Sequence, residues 1–154
     1  MNLESVSLAP GFAAARFGPL HLSIWEAPAT VAQATIAIET LSAIGRTEDR
    51  VLVMAVLGPN TPPPDNAVRD LFAKEFSRLG SRVAAVANVI EGQGFRAATM
   101  RAVVTGLTLV IRAGHPQKAC HSIDIGSDFI AQNSASRLTT EQIARATKEL
   151  RARI

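Results

Sequence analysis

Two strand-length runs, the unbroken apolar Val51–Leu57 and the mostly apolar Val83–Ile90, most constrain the fold of this chain. Each run has the length of a strand and lacks the alternation with polar residues that marks a half-buried strand, so we expect both to be covered on two faces. Segments with helical spacing of apolar residues separate and follow them. Strands that alternate with helices imply parallel pairing through right-handed crossovers. The sequence therefore predicts an α/β protein with parallel β-α-β units.

The first 26 residues predict an antiparallel meander. Turn-forming pairs occur at Pro10-Gly11 and at Gly18-Pro19. After the second turn, apolar and polar residues alternate with the period of a strand. We expect a single mixed sheet with helices packed on it: the meander comes first, the parallel units follow, and a helix ends the chain.

Length and composition favour one hydrophobic core. The chain has 154 residues, of which 47% are hydrophobic and 19% charged, as in a folded domain. One cysteine, Cys120, and three histidines leave little material for a disulfide framework or a zinc cluster. We predict neither a metal nor a cofactor.

Capping residues mark the helix starts. Thr30 with Gln33 and Thr139 with Gln142 form capping-box pairs, and Asp65 is an N-cap after a proline-rich loop. A long helix is predicted from Phe95 to about Arg112, and a last short strand over residues 118–122. We divide the chain into a domain over residues 1–132, a polar linker over 133–138 and a C-terminal amphipathic helix over 139–154.

The excess of positive over negative charge lies at the C-terminal end of the chain. The net charge is +3, and residues 137–154 hold five of the sixteen basic residues but two of the thirteen acidic ones. Tyr is absent and Trp25 is the single tryptophan, so the basic face with stacking aromatics that is typical of nucleic-acid binding is missing. The longest apolar stretch is about half the roughly 20 residues of a membrane span, and no secretory signal begins the chain. We expect a cytoplasmic protein without a membrane span.

Several motifs together resemble one family. They are a strand pair that ends in Trp25, the helix start Pro28-Ala29-Thr30, the strand Val51-Leu52-Val53 before a proline-rich loop, the strand end Val89-Ile90-Glu91-Gly92, and the run Gly94-Phe95-Arg96-Ala97-Ala98 with Arg101. In order and spacing, residues 3–132 resemble the SpoIIAA-like or STAS-like domains of uncharacterised bacterial proteins.

The resemblance implies a regulatory or scaffolding module that binds a protein partner. Better-known members of this family bind anti-sigma kinases or form parts of signalling and transport assemblies. In those members a Ser or Thr in an Asp-Ser-x-Gly-type motif is phosphorylated to break the complex. The corresponding loop here contains Thr61 but lacks the motif, because Asn60 and Pro62 flank the threonine. Thr61 is therefore the candidate switch residue, and we predict that it is not an essential phosphoswitch.

A glycine pattern supports an alternative function. The segment Gly92-Gln93-Gly94-Phe95-Arg96-Ala97 fits G-x-G-x-x-G/A between a strand and a helix. Gly92, Gly94 and Arg96 could then hold a phosphate at the helix N-terminus. The acidic residue expected about 20 positions further on is missing, since Asp124 lies well beyond that distance. We interpret the glycines as a turn and keep a small-anion or nucleotide sensor as the alternative.

The candidate nucleophiles and bases do not form a catalytic pattern. Cys120 and His121 are neighbours in a strand, so their side chains should point to opposite faces. His115 and His21 lack an acid or serine partner close in sequence. We predict a protein that is not an enzyme.

The C-terminal helix carries a narrow apolar stripe. Its members are Ile143, Thr147, Leu150 and Ile154, at spacings of four, three and four. Basic residues surround the stripe, which we interpret as a docking surface outside the domain core, for a protein partner or for a second copy of the chain.

Overall fold

The computed structural model describes residues 1–110 and 114–154, and it contains one six-stranded sheet. Its strands lie side by side in chain order. They are β1 (Glu4–Ala9), β2 (Phe12–Phe17), β3 (Leu20–Trp25), β4 (Val51–Leu57), β5 (Val83–Ile90) and β6 (Gln117–Cys120). Strands β1 to β3 pair antiparallel, and β3 to β6 pair parallel. The predicted α/β class and mixed sheet are confirmed.

Five α-helices accompany the sheet in the part of the chain that the structure describes. They are α1 (Val31–Thr47), α2 (Asn66–Leu79), α3 (Phe95–Val110), α4 (Ile123–Gln132) and α5 (Thr140–Arg151), and a short 3₁₀ helix, Gly80–Arg82, follows α2. The predicted end of the long helix at Arg112 lies outside the described residues. None of the described helices combines the length and the apolar character needed to cross a membrane.

The predicted caps form. The Thr30 hydroxyl accepts a hydrogen bond from the Gln33 amide at 3.1 Å, and the Gln33 side chain accepts one from the Thr30 amide at 3.3 Å. Thr139 and Gln142 repeat this pair, and Asp65 accepts from the Val68 amide at 3.0 Å. These bonds satisfy amides that the first helical turn leaves without intrahelical partners, which is why these sequence positions start helices.

The two faces of the sheet have separate cores. On one face, Leu41 and Ile44 of α1 pack with Leu79 of α2 against β4 and β5. On the other face, α4 and α5 cover the alternate side chains of β2 to β5. Gly126 lets α4 approach closely, because a Cβ there would lie 2.6 Å from Cγ2 of Val89. The sheet is therefore buried between helices on both faces.

The prediction that α5 lies outside the core is wrong. Ile143, Thr147 and Leu150 are fully buried in their own chain, and Ile143 and Leu150 belong to the core beneath α4 and α5. Ile154 is the exposed member of the predicted stripe, at 41%. Ala144 and Ala146 are also buried, so the apolar face of α5 is wider than the predicted stripe. Helix α5 contacts β2 and β3, whose side chains on this face would be exposed to water without it.

Residues 133–138, predicted to be a polar linker, form a compact turn. The Ser134 hydroxyl donates to the Ala131 carbonyl at 2.8 Å and accepts from the Leu138 amide at 3.2 Å. Leu138 is buried in the same core as Ile143. The turn therefore joins α4 to α5 without separating them from the sheet.

Candidate functional site

The carboxyl ends of the central parallel strands meet at one edge of the sheet. Trp25 pairs with Leu57, and Leu57 pairs with Ile90, so β3, β4 and β5 end level with one another. The Gly58 amide donates to the Trp25 carbonyl at 2.8 Å, and the Glu91 amide donates to the Leu57 carbonyl at 3.0 Å. We call this place the carboxyl edge. Ligands of open α/β sheets bind outside such ends where the strand order reverses, and the six described strands follow chain order without a reversal.

The predicted anion-site glycines lie at the carboxyl edge, between β5 and α3. Gly92 and Gly94 have φ values of +101° and +90°, in the region that residues with a Cβ rarely adopt. A Cβ on Gly92 would also lie 3.2 Å from the Cβ of Pro59. The Ala98 amide donates to the Gly94 carbonyl at 3.1 Å, which begins the helix, and Arg96 is exposed. The glycines are thus required by the turn itself.

Arg101 turns back toward the end of β5. Its guanidinium donates to the Ile90 carbonyl at 3.2 Å and to the Gly92 carbonyl at 3.5 Å. The arginine therefore holds the first part of α3 and the glycine turn together, with its positive charge directed at backbone carbonyls.

Thr61 lies in the loop after β4 and is buried, at 6% exposure. Its hydroxyl donates to the Trp25 carbonyl at 2.6 Å, and its amide donates to the Gly58 carbonyl at 3.1 Å. The candidate switch residue thus connects the ends of β3 and β4. A kinase would need this side chain to leave the interior before it could reach the hydroxyl.

An ion cluster that was not predicted from the sequence joins α5 to the carboxyl edge. Arg151 donates to Glu91, with Nη1 and Oε2 at 3.0 Å, and its Nε lies 3.1 Å from Oε1 of Glu26. The hydrogen bonds with Glu91 raise the pKa of the Arg151 guanidinium further above neutrality. Glu26 follows β3 and Glu91 follows β5, so one side chain of the last helix forms ion pairs with the acids of two strand ends.

His21 in β3 and Cys120 in β6 are buried titratable side chains. Burial lowers the pKa of His21 to about 4, and burial raises the pKa of the Cys120 thiol. His115 contacts Gln117 and the ring of Phe76 at the amino end of β6. Residues 1–110 and 114–154 contain no group of three or more side chains that could hold a metal ion.

A group of exposed residues with one aromatic ring and two prolines lies at the carboxyl edge, beside exposed charged residues such as Glu26 and Arg96. Phe95, the first residue of α3, is 88% exposed, which is the largest exposure of any large hydrophobic residue described. Pro59, Asn60 and Pro63 are also exposed, and the contact between Gly92 and Pro59 brings their loop against the turn that precedes Phe95. We call these four exposed residues the edge surface.

No family model, curated protein or solved structure matches the chain.

Proposed function

We propose that this protein is a non-enzymatic interaction module and that a partner protein binds it at the edge surface. The exposure of Phe95 carries the proposal. Exposed aromatic residues are enriched in protein interfaces, where burial of one ring removes a large apolar area from water. The resemblance to STAS-like domains leads to the same function.

The polar groups at the carboxyl edge support a binding role over a catalytic one. Thr61 and Arg101 hold backbone carbonyls, and Arg151 holds Glu26 and Glu91. Groups that satisfy one another in this way stiffen a surface. A stiff surface loses little conformational entropy when a partner binds.

Affinity capture with quantitative mass spectrometry tests the proposal. The tagged full chain and its Phe95→Ser variant are compared in lysates of the source organism, with Leu8→Ser as the matched control. Leu8 is 50% exposed and lies on β1, four strands from β5. We expect a stoichiometric partner whose recovery falls at least about tenfold with Phe95→Ser, the loss expected of an interface hot spot, and is unchanged with Leu8→Ser.

Equal recovery with both variants would contradict the proposal.

The partner can also be a second copy of the chain. Light scattering of the purified protein would then give the mass of a dimer, and Phe95→Ser would reduce it to the mass of a monomer.

The glycine turn favours a second candidate function, a small-anion or nucleotide sensor. The Gly94 carbonyl, just before α3, accepts the first intrahelical bond from the Ala98 amide, so the first helical turn leaves the amides of Phe95, Arg96 and Ala97 without intrahelical partners. Thermal shift with inorganic phosphate, ATP and GTP separates the candidates. A ligand at a hundredfold excess over its Kd stabilises a fold by about 2.7 kcal/mol. Stabilisation by one of these anions that Arg96→Ala abolishes would favour the sensor.

A further inference from the structure

Arginines collect at the amino ends of the parallel strands, opposite the carboxyl edge. Arg50 directly precedes β4 and Arg82 directly precedes β5, and the first residues of these strands, Val51 and Val83, are paired. Arg50 and Arg82 therefore lie at neighbouring strand ends. Four more arginines lie at this end of the sheet. We call the six together the arginine surface: Arg16, Arg46, Arg50, Arg78, Arg82 and Arg137.

The C-terminal end of α1 binds two of these arginines, one from α2 and one from the 3₁₀ helix that follows it. Nη2 of Arg78 donates to Oγ of Ser42 at 2.7 Å. The Arg82 guanidinium donates to the Gly45 carbonyl. Cations are favoured at this end of a helix, because its carbonyls carry a partial negative charge. The fold therefore places both guanidinium groups around the end of α1.

A single carboxylate connects two more arginines to the same helix end. Glu48, the C-cap of α1, pairs with Arg16 of β2 at 3.1 Å and with Arg137 of the turn before α5 at 2.7 Å. Arg46, in the last turn of α1, and Arg50 are exposed, and neither forms an ion pair with a described residue. Segments that are distant in the chain thus bring their arginines to one place.

The positive charge of the arginine surface exceeds what the fold uses. Six arginines lie here with three acidic residues, Glu48, Asp49 and Glu75, which leaves a surplus of three positive charges. A helix C-terminus carries about half a negative charge, so α1 does not balance this surplus. Arg78 and Arg137 keep half of their side chains exposed although both form ion pairs, at 51% and 50%. Guanidinium groups of this surface therefore face solvent, where an anionic partner can reach them.

We infer that the arginine surface binds an acidic segment of a partner protein. A guanidinium is planar and can bind the two oxygens of a carboxylate at once. A nucleic acid fits less well, because Asp49 is exposed between Arg46 and Arg50 and would meet a backbone that is negative at every phosphate. A peptide can place a neutral or basic residue there. Phe95, the one aromatic among the exposed large hydrophobic residues described, lies at the opposite end of the sheet and offers no base stacking here.

This inference goes beyond the proposed function, because the edge surface lies at the carboxyl ends of the strands. The protein would then have two binding surfaces at opposite ends of one sheet. A module of this kind can connect two partners.

Fluorescence anisotropy tests the inference with the purified full chain and a labelled peptide of alternating glutamate and serine, in physiological salt. We expect saturable binding that weakens as salt is added, and none with glutamine in place of glutamate. The double variant Arg46→Gln/Arg50→Gln should weaken binding by about threefold to tenfold, through the loss of two exposed ion pairs. Arg145→Gln/Arg153→Gln is the matched control: it removes two exposed positive charges from the C-terminal segment and should leave binding unchanged.

Crosslinking locates the bound peptide without any variant. A photoreactive group on the peptide should label residues 46–50 of the wild-type chain. Absence of binding, equal weakening by the two double variants, or labelling confined to other residues would overturn the inference. Tighter binding of single-stranded RNA or of phosphatidylserine vesicles than of the peptide, at the same salt, would also overturn it. Phe95→Ser should leave peptide binding unchanged, so the inference and the proposed function can fail separately.

Discussion

His21, in the third strand, is 1% exposed, and neither ring nitrogen has a hydrogen-bond partner among the described residues. Burial lowers its pKa from the ordinary 6.5 to about 4, because a charged imidazolium would lose its hydration without gaining a partner. The folded chain therefore keeps His21 neutral in a pH range where the unfolded chain protonates it. This difference makes the free energy of unfolding depend on pH.

We expect His21 to reduce stability in mild acid. Above pH 6.5 neither state is protonated, and the folded state has its full stability with respect to this group. Between pH 6.5 and 4 only the unfolded chain binds the proton, so the free energy of unfolding falls, by about 3 kcal/mol in total at 1.36 kcal/mol per pKa unit. Urea unfolding at pH 7.5, 6, 5 and 4 measures this fall.

The His21→Leu variant should show a smaller fall over the same pH range, because it has no proton to bind at that position. His121→Gln is the matched control, since His121 is exposed, and it should keep the wild-type slope. Equal slopes in wild type and His21→Leu would show that other groups cause the acid sensitivity.

We also expect Thr61 not to be a phosphoswitch. Its hydroxyl is buried and bonded to the Trp25 carbonyl, and phosphate would bring about −2 charge into that position. Phosphoproteomics of the native protein should find Thr61 unmodified at stoichiometric level. Stoichiometric phosphate on Thr61, together with loss of partner binding in Thr61→Glu, would overturn this prediction.

At the scale of elements, local signals predicted helices and strands well and their packing less well. The capping pairs at Thr30 and Thr139 act within three residues, so the sequence alone identifies them. The four-residue stripe of α5 underestimates its buried face, because Ala144 and Ala146 are buried as well. The apolar stripe of α5 could pack on its own sheet or on a partner. Which of the two occurs depends on the area of the sheet that the other helices leave uncovered, and a local sequence pattern does not contain that information.

The sequence predicts the local parts of the candidate site but not the contacts between residues that are distant in the chain. The glycine turn and the proline loop are local, and both lie at the carboxyl edge. The ion cluster joins residues 26, 91 and 151, which no short motif connects. The one signal of this cluster in the sequence is that a glutamate directly follows β3 and another directly follows β5, and parallel strands end at the same edge of a sheet. Arg151 is one of five basic residues in the C-terminal segment. Such residues are usually solvated, and the sequence does not indicate which of the five forms an ion pair with the glutamates.

Arg151 should fix the end of α5 to the sheet. Replacing it with Met keeps the aliphatic stem and leaves Glu26 and Glu91 without their shared partner. Because these groups are partly exposed, with side chains at 28%, 41% and 22%, we expect a loss of about 1–2 kcal/mol, less than for a fully buried pair. Arg153→Met is the matched control: its pair with Glu149 is exposed, and we expect a change within about 0.5 kcal/mol. Urea denaturation compares the two, and equal losses would show that the cluster has no special role.

At the scale of the whole molecule, the sheet needs cover on both faces. Helices α1 and α2 supply it on one face, and α4 and α5 supply it on the other. The carboxyl edge then remains as the place where loops from several strands reach solvent together. Arg151 connects the second helical layer to that edge, so the surface proposed for binding depends on the last helix as well as on the loops that form it.

Deletion of residues 137–154 should therefore prevent cooperative folding. The deletion removes Leu138, Ile143 and Leu150 from the core, and loss of each large buried side chain costs about 2–5 kcal/mol against a typical total stability of about 5–15 kcal/mol. Deletion of residues 152–154 is the control: it removes exposed residues, Ile154 among them, and should leave the wild-type urea midpoint. Circular dichroism during urea unfolding measures both. A cooperative transition in the longer deletion would mean that α5 is an accessory helix, and the core as described would then be wrong.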